Sequence, residues 1–381
     1  MRRINKKIRE FLKENKDESP FLVVDVSEVK RNYRSIMKLL PFATCHYAVK
    51  ANPAPEILEM LIKFGSSFDA ASINEIKLCL KLGADPSRIL FGNTIKKESE
   101  IKEAYRLGVR MFTFDSLPEL EKLAVAAPGS KVFCRIQVGA RGAAWPLAKK
   151  FGCFLKVAYK LMVEAKRIGM IPYGISFHVG SQQMRPQSYA EAIEKASVVF
   201  RALEKRDNII LEALDIGGGF PAQYRNKVPP LKDFVKVIDD ALSKYFPERD
   251  LMQIIIEPGR AMVADAGVIQ AEVVLVCKDK VNPNKRWVYL DVGKFTGFTE
   301  AEAIEYKIIT TKDKSAGKRS RVIIAGPTCD SVDIIYEQKK YYMPVSLKPK
   351  DKVFFLSAGA YTTAYSAVAF NGFPALKSYF I

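Results

Sequence analysis

Eight short apolar, β-prone runs, each followed by an amphipathic helical stretch, fill the first ~260 residues, and this alternation restricts the chain to a parallel α/β architecture. The runs are "FATCHYAVK", "SSFDAAS", "RILFGN", "VRMFTFDS", "KVFCRIQV", "GISFHVGS", "LEALDIGG" and "MQIIIEPG". Among the stretches between them are "PEILEMLIKFG", "INEIKLCLKLG" and "KESEIKEAYRLG", which end on Gly65, Gly83 and Gly108. A glycine just past the last apolar position is a helix stop, because it accepts the left-handed conformation that ends the helix. Eight β–α units in ~220 residues is the count of a TIM barrel. An open doubly wound sheet also alternates, but with fewer strands. The reading is an α/β fold, with a (β/α)8 barrel over residues 26–266.

Beyond Arg260 the texture changes. "AGVIQAEVVLVCKDK", "RWVYLDVG", "RSRVIIAGP" and "DKVFFLS" follow one another with turns and few helical stretches between them. That pattern predicts a second, antiparallel β domain, a sandwich or small barrel over residues 267–381 together with 1–25. The early run "FLVVDVS" fits either part. The polar, glycine-bearing segment "TTKDKSAGKRS", residues 310–320, reads as a mobile loop.

Composition narrows the function classes. No apolar run approaches the ~20 residues of a membrane span. The segment "MRRINKKIREFLKENKDESP" lacks the apolar core of a secretory signal, so the cytoplasm is the expected location and no membrane partner is expected. Cys45, Cys79, Cys134, Cys153, Cys277 and Cys329 include no C-x-x-C pair, and only His46 and His178 could assist them. No metal site is therefore predicted, and most of the thiols read as small, reduced core residues. The net charge of +18 is spread along the chain without a nucleic-acid motif. A solvated, lysine-rich exterior explains it better than a nucleic-acid surface.

The active site of such a barrel lies at the C-terminal ends of its strands. Lys50 ends the first run, His178 lies near the end of the sixth, Gly217, Gly218 and Gly219 close the seventh, and Glu257 closes the eighth. Each has an ordinary explanation when taken alone. A terminal lysine snorkels into water, a glycine triplet makes a turn, "EPGR" leaves Glu257 and Arg260 solvated, and a histidine packs in the core. Together they suit pyridoxal 5'-phosphate: an amine for a Schiff base, glycines and an arginine for phosphate, a ring to stack, and a carboxylate for the pyridine nitrogen. The G-x-G-x-x-G of a dinucleotide fold is absent.

"YAVKANP", "FHVGS", "DIGGGFP", "EPGR", "GPTCDSVD" and "GAYT…FNGF" resemble, in order and over essentially the whole chain, the ornithine/lysine decarboxylase family. These are pyridoxal phosphate enzymes with an alanine-racemase-like barrel; the short prokaryotic-type ornithine decarboxylases look most similar. The resemblance implies that Lys50 carries the cofactor covalently, with desolvation at the strand end favouring its neutral amine. Asp69 and Glu75 resemble the family's acids flanking that lysine, and Arg135 its strand-five arginine. His178 stacks on the ring. Ser181, Gly219, Gly259, Arg260 and Tyr361 resemble the phosphate and hydroxyl contacts. Glu257, kept ionised, pairs with the ring nitrogen, where the racemases of this fold place an arginine. Cys329 resembles the acid that reprotonates Cα, Asp330 the acceptor of the substrate's distal ammonium, and Phe370 a residue at the subunit boundary. In the family, Cys329 and Asp330 serve the partner's site, which implies a homodimer with shared active sites.

For the substrate, the resemblance implies a small-molecule diamino acid. "CDS" after the motif proline, where diaminopimelate enzymes carry "CES", favours a simple diamine product. The implied reaction is L-ornithine to putrescine and CO2 in polyamine biosynthesis. L-Lysine, or both substrates, is the alternative, and one methylene separates them by only ~1–3 kcal/mol in a fitted pocket. "GFTEAEAIEYK" corresponds to the family's specificity helix, with Glu300 or Glu302 as the candidate acid. A non-catalytic regulatory homologue is disfavoured by Lys50, Cys329 and Asp330, a small carrier of the cofactor by the β domain, and a racemase by Glu257 and Cys329.

Overall fold

A computed structural model describes residues 4–15, 17–146, 149–313 and 317–381. The chain packs as two compact units: one holds Asn32–Pro221 and Val228–Ala261, the other Met1–Arg31, Ala222–Lys227 and Met262–Ile381.

In the first unit all eight apolar runs become strands. They are Ala43–Ala48, Ser67–Ala70, Ile89–Phe91, Met111–Phe114, Lys131–Arg135, Ile171–Ser176, Ala213–Asp215 and Gln253–Ile256. They pair in parallel and in chain order, and the last closes on the first through Ile254–Ala43, Ile255–Thr44 and Ile256–Cys45. This is the (β/α)8 barrel. A barrel strand faces side chains on one side and helices on the other, so its sequence is apolar nearly throughout rather than alternating. The helices Pro55–Lys63, Ile73–Lys81 and Glu98–Arg106 stop where expected, with φ of +79° at Gly65 and +96° at Gly83 and Gly108. Leu90, Phe133, Tyr173, Ala213 and Ile255 form one buried cluster. Gly174 makes room for it: a Cβ there would lie 2.5 Å from the Ala213 carbonyl oxygen and 2.8 Å from the Phe133 ring.

The second unit is built on one eight-stranded sheet. Its spine is the long strand Gly267–Lys278. The first half of that strand pairs with Phe21–Val24 and Lys352–Leu356, and the second half with Lys285–Leu290, after a register shift between Val273 and Leu275. "FLVVDVS" therefore contributes its strand to this unit. The sheet is mainly antiparallel but carries two parallel pairs, Phe21–Val24 with Lys377–Phe380 and Lys285–Leu290 with Arg319–Ala325. The strands Lys307–Thr310, Ile334–Pro344 and Lys377–Phe380 were not among the sequence-predicted runs. Cys277, on the outer part of the spine, is exposed rather than in the core.

The charged N-terminal stretch is an amphipathic helix, Lys6–Glu14, capped by the Asn5 side chain, which accepts the Ile8 N–H at 2.8 Å. Its apolar stripe is short but complete. Ile4 and Ile8 are buried against Val23, Val268, Ile309, Phe354 and Leu356, with Phe11 and Leu12 beside them. Of the loop expected at 310–320, residues 314–316 lie outside the described residues. On its flanks Asp313 accepts the Thr310 N–H at 2.9 Å and pairs with Arg319 at 3.0 Å.

Because Gly174 sits against a backbone carbonyl that cannot yield, Gly174→Ala should destabilise the protein by about 1–3 kcal/mol, measured by urea unfolding. Unchanged stability would mean that the Phe133 cluster is not packed as described.

Candidate active site

The first barrel strand ends at Ala48 and passes into a single helical turn, Val49–Ala51, so Lys50 stands one turn beyond the strand rather than in it. The Ala48 N–H donates to the Pro258 carbonyl at 3.3 Å, which ties this turn to the loop that carries Glu257 and Arg260. The Lys50 side chain is 44% exposed, and its Nζ lies 2.5 Å from Asp69 Oδ2. The two side chains form an ion pair at the barrel mouth. Asp69 is buried against Gly92, where a Cβ would fall 1.9 Å from Oδ1. Glu75 stands on the helix that follows. Its carboxylate accepts the Ala71 N–H at 2.6 Å while Ser72 Oγ accepts the Glu75 N–H, an arrangement related to a capping box that fixes the loop after Asp69.

On the opposite side, His178 follows the sixth strand, and its Nδ1 accepts the Gly180 N–H at 2.9 Å. Burial, with the Arg135 and Lys50 cations nearby, holds its pKa well below the usual value, so the ring is neutral and carries its proton on Nε2. Nε2 lies 3.3 Å from where a Cβ on Gly218 would be. The glycine triplet is dictated by neighbouring backbone. A Cβ on Gly217 or Gly219, both at positive φ, would come within 2.2 Å of the Phe177 carbonyl or 2.6 Å of the Gly180 carbonyl. Arg260 is buried and donates through Nε and Nη2 to Ser181 Oγ at 3.2 and 3.1 Å. Gly259 immediately precedes it and is itself buried.

Glu257 and Asp215 form the electrostatic centre. Each carboxyl perturbs the other, and Asp215 accepts the Gly217 N–H at 2.9 Å. Glu257 keeps some accessible surface, yet protein crowds its carboxyl. Burial, then repulsion from Asp215 and Asp69, pushes its pKa well above the usual carboxylate range. Burial also raises Asp215 to about 7, against the hydrogen bonds it makes. Arg135 lies among these groups: burial lowers its pKa, and Glu257, Asp69, Asp115 and Asp215 oppose that. With no cationic partner at its carboxyl among the described residues, Glu257 therefore has a raised proton affinity, which a protonated ring nitrogen beside it would lower. Asp215 was missed, although it stands in the quoted "LDIGGG". A carboxylate two residues before the glycines, at the end of a buried strand, was the available signal.

A sequence profile described as "Pyridoxal-dependent decarboxylase, pyridoxal binding domain" matches residues 26–264. The chain belongs to the pyridoxal-dependent decarboxylases. Lysine/ornithine decarboxylase of Selenomonas ruminantium is 36% identical over 93% of this chain and 88% of its own length. Ornithine decarboxylase of Rattus norvegicus is 34% identical over 99% and 84%. Antizyme inhibitor 2 of Xenopus laevis is 34% identical over 94% and 80%. Among solved structures, the Paramecium bursaria Chlorella virus arginine decarboxylase bound to agmatine superimposes with a TM-score of 0.91 at 30% identity, covering 99% of this chain and all of that one.

The barrel residues fit the cofactor of this decarboxylase family on their own chemistry. A primary amine sits on a carboxylate, and a neutral imidazole lies beside a glycine triplet that neighbouring carbonyls keep free of side chains. A buried arginine–serine pair and the Glu257–Asp215 carboxyl pair complete the set. Among the described residues no group of three or more His, Cys, Asp or Glu could hold a metal ion.

The remaining candidates lie in the β unit. Cys329 is exposed, so it is not a buried structural thiol, and its N–H donates to Asn371 Oδ1 at 3.0 Å. Asp330 Oδ1 accepts the Val332 N–H at 2.9 Å. Tyr361 holds a φ of +52°, a strained value for a tyrosine, and Phe370 packs on Phe295 with ring centroids 4.9 Å apart. Glu302 is ion-paired with Lys294 at 2.5 Å, whereas Glu300 is buried in the turn Thr299–Glu302. Asp333, a second residue the sequence reading passed over, organises this region. It accepts the N–H groups of Lys294 and Thr328 at 2.7 and 3.0 Å and the Thr328 hydroxyl at 2.8 Å. A Cβ on Gly293 or Gly326 would fall 2.2 or 2.4 Å from its carboxylate, so both positions accommodate it.

Asp215 and Glu257 bind protons more tightly in the folded chain than in the unfolded one. Their stabilisation is therefore complete below the ordinary carboxylate range and is lost as pH rises, for Asp215 through about 7. Asp215→Asn removes one titrating acid and its repulsion on Glu257. The cofactor-free variant should lose less stability than the parent between about pH 4 and pH 7, followed by thermal unfolding across that range. Parallel curves would show that the two carboxyls do not perturb each other.

Proposed function

We propose that this chain decarboxylates L-ornithine to putrescine and CO2, in polyamine biosynthesis, as a cytoplasmic homodimer with shared active sites. The observation that carries this reading is the Glu257–Asp215 carboxyl pair beside the Lys50–Asp69 ion pair, at the ends of neighbouring barrel strands. Bound pyridoxal phosphate supplies an electron sink for the pair of electrons left when the Cα–carboxylate bond breaks. The protein's own part follows from its side chains. Lys50 would carry the cofactor, with Asp69 beside its nitrogen. Glu257 would pair with the pyridine nitrogen and keep it protonated, with Asp215 next to it. An acid here, rather than an arginine, keeps that nitrogen protonated and favours loss of CO2 over racemisation. His178 stacks as a neutral ring, and Ser181, Arg260, Tyr361 and the glycines 217–219 and 259 hold the phosphate.

In the same reading, Cys329 of the partner subunit delivers a proton from Sγ to Cα after CO2 leaves, and Asp330 of the partner subunit accepts the distal ammonium. The exposure of Cys329 supports a thiol that meets substrate. Glu300, buried in the turn Thr299–Glu302, and Glu302, ion-paired with Lys294, are the two candidates for the specificity acid.

CO2 release from L-ornithine, L-lysine and meso-diaminopimelate, measured side by side, should be fastest with L-ornithine. Glu300→Gln should change the ornithine/lysine ratio of kcat/KM by roughly 10-fold or more, within what one methylene can be worth. Faster turnover of either other substrate replaces ornithine, and an unchanged ratio removes Glu300.

Mixing inactive Lys50→Ala chains with inactive Cys329→Ala chains should restore activity, because a hybrid dimer keeps one complete site. Continued inactivity in a mixture shown to exchange subunits contradicts the shared arrangement.

A further inference from the structure

Cys134 and Cys153 lie 19 positions apart in sequence, yet their Sγ atoms are 3.7 Å apart. Cys134 is fully buried in the strand Lys131–Arg135, and Cys153 is half-buried on the returning leg of the loop that follows. Backbone fixes the approach rather than chance side-chain packing. Cys153 forms a parallel bridge with Ile136; its N–H donates to the Arg135 carbonyl at 3.0 Å, and its carbonyl accepts the Gln137 N–H at 2.8 Å. One residue earlier, the Gly152 N–H donates to Asp115 Oδ2 at 2.8 Å. Gly152 has a φ of +88°, and a Cβ there would fall 2.8 Å from the Ile136 carbonyl oxygen. The two sulfurs are therefore held in register by the two backbone hydrogen bonds of that bridge and by the Gly152–Asp115 bond, and closing to a bond of about 2.05 Å needs side-chain rotation more than chain movement.

We propose that Cys134 and Cys153 are an oxidant-accepting dithiol, a modification site that takes a peroxide and closes to a disulfide. Cys153 Sγ, the partly accessible sulfur, attacks a peroxide oxygen; the O–O bond breaks, Cys153 becomes a sulfenic acid, and one water leaves. The Cys134 sulfur then attacks the Cys153 sulfur, forming the S–S bond and displacing a second water. Two thiols and one hydrogen peroxide thus give one disulfide and two waters; the thiols lose two electrons and the peroxide gains them. Burial, the adjacent Cys153 and Asp115 all raise the pKa of Cys134 well above its ordinary value, which makes it the slow, resolving partner. The bond would fasten the Phe151–Cys153 leg to the strand end that bears Arg135, whose guanidinium already lies 5.0 Å from the Phe151 ring centroid.

The test reads covalent state, not catalysis, so it is independent of the proposed substrate. Holoenzyme freed of reductant is treated with hydrogen peroxide, alkylated in denaturant and digested with trypsin. The expected product is a cross-link between the peptides Val132–Arg135 and Phe151–Lys156, lost with dithiothreitol and absent in Cys134→Ser and in Cys153→Ser. In Cys134→Ser, dimedone should instead trap a sulfenic acid on Cys153. Exposed Cys277 serves as the internal dose control. Recovery of both peptides as alkylated thiols at doses that oxidise Cys277 overturns the proposal. So does conversion of Cys153 to sulfinic acid while Cys134 remains alkylatable. The wild-type map decides between these outcomes even if a serine variant fails to fold.

Discussion

Charge balance at the mouth of the barrel is the constraint on which the site depends. Asp69, Asp215 and Glu257 meet the two cations Lys50 and Arg135 where burial disfavours any uncompensated charge. With Asp115 also acting on Arg135, carboxylates outnumber cations there, and that imbalance together with burial raises the proton affinity of Glu257. Every position around that carboxyl follows. Asp69 must stay on Lys50, Asp215 must accept from Gly217, and the imidazole of His178 must stay neutral because a third cation already has two neighbours of its own sign.

Glycine is the other half of the construction. At Gly92, Gly293 and Gly326 the missing Cβ admits a buried aspartate, Asp69 in the barrel and Asp333 in the β unit. At Gly217, Gly218 and Gly219 it lets three loops pass within contact of one another's carbonyls. Side-chain packing could not bring polar groups so close without stranding donors. Here backbone N–H groups satisfy Asp215, Glu75 and Asp333, so each carboxylate is aimed by main chain rather than by another mobile side chain.

Most of the barrel was legible in the sequence because hydrophobic runs and glycine stops are local signals, and all eight runs became strands. The β unit was less legible. Ile334–Pro344 carries "EQKK" in its middle, and its exposed outer face hides the strand from a search for apolar runs. Lys377–Phe380 is four residues long and is a strand only because Phe21–Val24 lies beside it. In the site, Lys50, His178, the glycines and Glu257 stood out because they end strands. Asp215 and Asp333 did not, since an aspartate near glycines looks like any turn until its partners are known.

By itself, then, the chain's sequence determined the eight-fold βα repeat, the helix stops, and which amine, imidazole and carboxylate stand at strand ends, all consequences of short-range periodicity and backbone preference. Only the tertiary structure decided the raised proton affinity of Glu257, the ion pair of Lys50 with Asp69, the parallel pairings of the β unit, and the meeting of Cys134 with Cys153. Those depend on the field and the distances between residues far apart in sequence, which exist only once the barrel has closed.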